Sequence, residues 1–170
     1  NSKVIVKQNK GLMIEGVTSS NYTFHSILFE DEGSINSNLV TTRINELTFE
    51  QGGEIKGTLD IGKLTLNKGT KPNTVEFESN LTFPIEEFIA LGSCNFPIHI
   101  KGSKSGVQAN IEIKTSVNAD FIELTDINGV GPSVSYIANN SIEHSNVTNW
   151  TINAITSVDL YWVGNGLNDE

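Results

Sequence analysis

The chain has 170 residues, 37% of them hydrophobic and 18% charged, a balance that excludes disorder and fits one folded domain with a sizeable core. Eleven basic against 20 acidic side chains give a net charge of -9; nucleic acid and anionic membrane surfaces would be repelled, which leaves neutral or cationic surfaces, or divalent ions, as partners. The single Cys94 excludes an internal disulfide framework, and no run approaches the ~18 apolar residues of a membrane span.

At the start, Asn1-Ser2-Lys3 has neither an initiating Met nor the apolar core of a signal peptide, so the chain reads as a piece from within a longer protein. Lys3-Val4-Ile5-Val6-Lys7 alternates, and Leu12, Ile14 and Val17 follow the turn at Gly11, which makes an opening coil. A repeat begins at Tyr22 to Phe29. Ile27-Leu28-Phe29-Glu30-Asp31-Glu32-Gly33-Ser34-Ile35 aligns with Leu47-Thr48-Phe49-Glu50-Gln51-Gly52-Gly53-Glu54-Ile55 at an offset of 20 residues, which also relates Leu39 to Leu59 and Ile44 to Leu64. The next coil arrives early, 17 residues separating Leu47 from Leu64, so turns absorb differences in coil length.

Short strands continue as apolar, any, apolar triplets at Val75 to Phe77, Leu81 to Phe83, Phe88 to Leu91, Ile98 to Ile100, Ile111 to Ile113, Phe121 to Leu124, Val134 to Tyr136, Ser141-Ile142 and Trp150 to Ile152. Only Pro84-Ile85-Glu86-Glu87-Phe88 reads as a helical turn. The pattern predicts an all-β fold, a single-stranded, right-handed β-solenoid or β-helix with coils of about 20 residues. With strands about 4.8 Å apart, about eight coils would make a rod on the order of 40 Å long. Residues 1–157 form this module, and the aromatic, glycine-rich segment from Val158 to Glu170 opens a following module or linker. Were the 20-residue register accidental, a β-sandwich carbohydrate-binding module would be the alternative.

Several constellations touch on chemistry. Glu30 and Glu50 occupy equivalent places in successive coils, with Asp31, Glu32 and Glu54 beside them, an acidic ladder of the kind β-solenoid lyases and glycosidases use. A lyase also needs a basic group for the substrate carboxylate, and the only arginine, Arg43, lies between the two glutamates in sequence. A solvated turn after an inward Phe explains the same spacing, so no catalytic residue is assigned. Asp126-Ile127-Asn128-Gly129 begins like a calcium loop but lacks a third ligand before its Gly, and position 12 falls on Ile137; a Gly turn at a solenoid corner accounts for it better, and no metal ligand or cofactor is assigned. Cys94 and His99 are close in sequence, but inward Ile98 and Ile100 send His99 outward, away from a Cys94 expected to be buried. His25 and His144 lack partners at zinc spacing. Asn21, Asn80, Asn139, Asn146 and Asn149 head Asn-x-Ser/Thr triplets, read here as turn residues that tolerate left-handed backbone rather than as glycan acceptors.

Several phrases together carry a family resemblance: Ala119 to Gly129, then Asn146-Val147-Thr148-Asn149-Trp150-Thr151-Ile152, then Tyr161-Trp162-Val163-Gly164, with Gly92-Ser93-Cys94-Asn95-Phe96-Pro97-Ile98 upstream. The combination resembles modules of very large secreted proteins of gliding Bacteroidota. This resemblance implies export by the type IX secretion system, a cell-surface or secreted location, and relatives among gliding-motility adhesins. The family usually runs from Tyr-Trp-Val-Gly into a second Trp-rich stretch, whereas this sequence ends at Asn168-Asp169-Glu170. The expected function is therefore a non-catalytic structural or adhesive module, a spacer or an adhesion surface. Its expected partners are neighbouring modules of the same chain, surface polysaccharide and the export machinery, with no nucleic acid and no membrane insertion. The alternative is a carbohydrate-active β-helix enzyme, or a carbohydrate-binding module.

Overall fold

The computed structural model describes residues 3–8, 10–15, 22–131 and 134–155, excepting the side chains of 39–41. Val17, Asn21 and the expected module boundary at Val158 lie outside the described residues. The chain is 71% strand, without helix among the described residues. Its strands are β1 (Lys3–Val6), β2 (Gly11–Ile14), β3 (Tyr22–Phe29), β4 (Gly33–Phe49), β5 (Gly53–Asn67), β6 (Asn73–Phe77), β7 (Thr82–Leu91), β8 (Ile98–Gly102), β9 (Ala109–Asp120), β10 (Ile122–Thr125), β11 (Ile127–Val130), β12 (Ile137–Asn139), β13 (Ile142–Ser145) and β14 (Thr151–Asn153).

Every pairing between these strands is parallel, and the registers define three ladders. On the first, residues 3–6 lie on 26–29, followed by 46–49, 63–67, 87–91, 116–120, 138–139 and 152–153. The second runs 11–14, 34–37, 53–57, 73–77, 98–102, 122–125 and 142–145, and the third 22–24, 42–44, 59–61, 82–85, 109–113 and 127–130. The chain visits the three in turn, which is a β-solenoid of about six turns of roughly 22 residues each, fewer and longer than the eight coils of 20 expected. Coil length is elastic, from 14 residues between Ala138 and Ile152 to 29 between Glu87 and Ser116. The longest coil carries two small turns, each closed by an antiparallel bridge, Ser93 to Phe96 and Lys104 to Val107.

The pleat explains the burial. Successive side chains point to opposite faces, and in β6 and β8 buried and half-buried residues alternate without exception. Inward residues stack on their equivalents: Ile27 on Leu47, Ile35 on Ile55, and Phe29 on Phe49 with ring centroids 4.7 Å apart and planes 4° from parallel. The 20-residue register fails at one corner. Leu59 pairs with Thr42 instead of Leu39, and Ile44 pairs with Ile61 instead of Leu64, which lies on Leu47. Four residues separate Ser37 from Thr42, where a buried hydroxyl contact of 2.7 Å closes the wide turn, whereas only Thr58 separates Gly57 from Leu59. Gly57 makes the tighter turn at φ +75, and a Cβ there would stand 2.0 Å from the Ser37 carbonyl oxygen.

The helical turn expected over Pro84 to Phe88 is instead part of β7. Ile85 and Phe88 both point inward because exposed Glu86 turns the corner between two ladders, which imitates a helical spacing. Val134 to Tyr136 is not a strand either; Tyr136 plugs the core, its ring so close to Gly129 that a Cβ there would stand 2.8 Å away. The expectation for asparagine is met at Asn80, Asn146 and Asn149, which adopt positive φ at corners, but not at Asn139, which ends β12 and leaves the left-handed turn to Asn140.

Candidate functional site

The corner between the first and second ladders holds the expected acidic ladder. The Phe29 on Phe49 register puts Glu30 and Glu50 in successive coils, the Glu50 N–H donating to the Phe29 carbonyl at 3.0 Å. The Lys7 ammonium lies 3.4 Å from the Glu30 carboxylate, and the Glu50 carboxylate accepts a hydrogen bond from the Asn67 amide at 2.9 Å. Beyond Asn67 the register continues to Leu91, so the run of carboxylates is two coils long with a donor at each end. Asp31 accepts the Gln8 N–H at 3.2 Å, and Glu54 pairs with Lys56 on its own strand.

Turn length shapes this corner. Three residues connect β3 to β4 and β4 to β5, but five connect β5 to β6 and six connect β7 to β8. Two open clefts lie here and share Gln51 and Thr70, whose N–H donates to the Gln51 side chain at 3.3 Å. One, about 520 Å³, is lined by Glu50, Asn67, Lys68 and Leu91; the other, about 510 Å³, by Gln8, Asp31, Glu32 and Lys71.

The structure does not bring the arginine here. Arg43 lies on the third ladder, 2.8 Å from Asp60 and 2.9 Å from Glu86. Burial works against its charge, but hydrogen bonds to Glu86 and Asp60 outweigh burial and raise its pKa above the ordinary value. Sequence proximity between the glutamates was misleading because Arg43 lies on a different ladder from the corner that holds them, 13 residues after Glu30 and 7 before Glu50.

Cys94 is exposed, not buried. It sits at the tip of the turn in which Ser93 and Phe96 exchange backbone hydrogen bonds of 3.1 and 3.0 Å, outside the strand alternation that would have turned it inward. His99 points outward as alternation demands, and it has a neighbour that helical or zinc-finger spacing did not reveal. The second ladder stacks β8, β10 and β13, bringing the His99 and His144 rings to 5.6 Å with Glu123 between them in the stack. His144 Nε2 is 3.0 Å from the Glu123 carboxylate, and His99 Nε2 is 2.8 Å from the Thr125 hydroxyl. Burial lowers the His99 pKa, opposed by the field of Glu123. The coil spacing, 24 residues and then 21, was the signal that could have found this column. Among the described residues no group of three or more His, Cys, Asp or Glu is placed to hold a metal ion.

Asp126 and Asn128 take part in bonds between coils. Asp126 is buried at a corner and accepts the Gly106 N–H at 3.0 Å and the Asn146 amide at 2.7 Å; Asn128 donates to Asn110 at 2.9 Å and accepts from Asn149 at 2.9 Å. Amide donors occupy the oxygens that a cation would need. No family model matches the sequence, and no curated protein or solved structure matches it. What defines the chain is its architecture, a β-solenoid with open, polar clefts along one corner. No helix among the described residues is long and apolar enough to cross a membrane.

Proposed function

We propose that the chain is a non-catalytic structural or adhesive module of a large cell-surface protein, a spacer or part of an adhesion surface. The observation that supports this most is the commitment of the acidic ladder to the fold: Glu30 and Glu50 each contact a neighbouring coil, and the arginine a lyase would need is engaged on another face. A general acid or base must reach a substrate proton with its orienting groups in place, whereas the side-chain partner that the fold gives Glu30 is Lys7 and the one it gives Glu50 is Asn67, each from an adjoining coil. Extracellular location, export by the type IX system and a part in gliding rest on the resemblance to modules of gliding Bacteroidota. They come with neighbouring modules and surface polysaccharide as partners.

Carbohydrate binding or cleavage at the same corner is a second reading, favoured by the two clefts that share Gln51 and Thr70. A polymer lying there would meet successive coils. The purified chain, offered a broad polysaccharide panel with and without calcium, is expected to give no turnover. Cleavage that falls about 100-fold to 10,000-fold in Glu30→Gln or Glu50→Gln would overturn the non-catalytic reading; binding without cleavage would sharpen it to adhesion. Surface display that persists after deletion of the type IX translocon in the source bacterium would remove the export route.

A further inference from the structure

The two clefts at the corner between the first and second ladders adjoin at Gln51 and Thr70 and are lined from five successive coils, by residues that follow or end β1, β3, β4, β5 and β7. At about 4.8 Å per coil they extend roughly 19 Å along the axis of the stack.

Their walls are held by the fold. The Thr70 N–H donates to Gln51 Oε1, the Asn67 amide donates to Glu50 at 2.9 Å, and the Asn73 amide braces the same turn by donating to the Asn67 carbonyl at 3.0 Å. Gly69, at φ +65, lies so close that a Cβ there would stand 2.8 Å from Gln51 Oε1 and 3.0 Å from the Glu50 carbonyl oxygen, so the turn after β5 is seated on the turn after β4. A cleft formed in advance spares its ligand the cost of ordering it.

Other polar groups here are left over by the fold. Lys68, Lys71 and Glu32 make no side-chain hydrogen bond or ion pair with another described residue. Lys68 stands with Glu50 in one cleft and Lys71 with Asp31 and Glu32 in the other, so each holds one ammonium beside at least one carboxylate. A polyanion drawn to either lysine meets those carboxylates on a chain of net charge -9, and a polycation meets a lysine in each cleft. A hydroxyl both donates and accepts, so an uncharged polyol finds partners among both signs and among the amides. Leu91 is the one large apolar side chain of the lining, which gives a greasy ligand little to hold.

We propose that the paired clefts bind an uncharged, linear polysaccharide laid along the axis, its hydroxyls bonded to Glu50, Gln51 and Lys68 in one cleft and to Glu32 and Lys71 in the other. This rests on the carbohydrate-binding reading of the corner and gives it a ligand class.

The test is calorimetric titration of the full chain with two neutral polymers, galactomannan and dextran, with anionic polygalacturonate and with cationic chitosan. A neutral polymer is expected to bind with an affinity that changes little from low to high salt, and polygalacturonate not to bind. Lys68→Ala, which removes a side chain without a partner in the fold, should weaken binding of the neutral polymer about tenfold, and Gln51→Ala with Lys71→Ala by at least as much. Lys63→Ala, in the separate cleft beside Arg43, should leave binding unchanged. Circular dichroism establishes that each variant is folded, and Lys68→Ala decides the matter if the double variant is not. Failure of both neutral polymers to bind, or full binding by Lys68→Ala, overturns the proposal. Binding of polygalacturonate or chitosan alone, weakened in Lys68→Ala or in the double variant, overturns it too but leaves the corner a carbohydrate surface; no binding by any of the four polymers removes that reading as well.

Discussion

The coils spanning residues 22–67 and those spanning 119–153 solve the same packing problem by different means. In the first region apolar stacks on apolar: Phe29 lies on Phe49, Ile35 on Ile55, and Phe49 on Leu66, and the interior is apolar except for the buried Ser37 and Thr42 hydroxyls at one corner. Farther along, the same column continues as Ala90, Ala119 and Ala138, side chains much smaller than the Phe and Leu before them. The space they leave is filled from outside the ladders. Tyr136 is buried with its hydroxyl donating to the Val130 carbonyl, and Trp150 meets both Tyr136 and Phe88 edge-on. Corners in the second region are held by side-chain amides that bond the adjoining coil, Asn140 to Asp120 and Asn146 to Asp126. Hydrophobic burial scales with the apolar area removed from water, so coils that stack alanines recover stability from hydrogen bonds and from a few large aromatic groups.

Breaking the first region should cost the most. Phe49→Ala empties a site between two packed layers, and chemical denaturation should show a loss of about 3–5 kcal/mol; a loss under 1 kcal/mol would mean that the stack is not the core. In the second region Tyr136→Phe keeps the ring but removes the hydroxyl that accepts from the Ile113 N–H at 2.8 Å. The buried Ile113 N–H then lacks that partner, for an expected cost of about 1–3 kcal/mol. If both substitutions cost the same, the contrast between apolar and polar solutions is too sharply drawn.

A smaller effect is expected from Arg43→Ala. Its two ion pairs are a quarter to half exposed and therefore screened, and roughly 0.5–1 kcal/mol should be lost, less at high salt. The smallest concerns His99. Its pKa is lowered in the folded chain, so the unfolded state takes up protons first as pH falls. His99 thus supports the native state above about pH 6.5 and loses that support progressively below it. The melting temperature of His99→Gln should fall less between about pH 7 and pH 5 than that of the unaltered chain; parallel profiles would assign the pH response to other groups.

The sequence by itself determined the all-β class, the solenoid and the identity of most inward residues, because the apolar, any, apolar triplet and the pleat are both local properties. Phe29 over Phe49 was legible for the same reason, as was the outward turn of His99. Coil length was not legible, since it is set at corners where four residues at 38–41 are matched by Thr58 alone, and both turns keep the flanking strands in register. Tertiary structure also decided which polar groups meet. His99 and His144 are 45 residues apart, yet their rings approach to 5.6 Å; Arg43, between Glu30 and Glu50 in sequence, pairs with Asp60 and Glu86 on another face. In a solenoid, neighbours in space lie one variable coil apart, so contacts between side chains follow from the sum of turn lengths, a quantity that no single stretch of sequence contains.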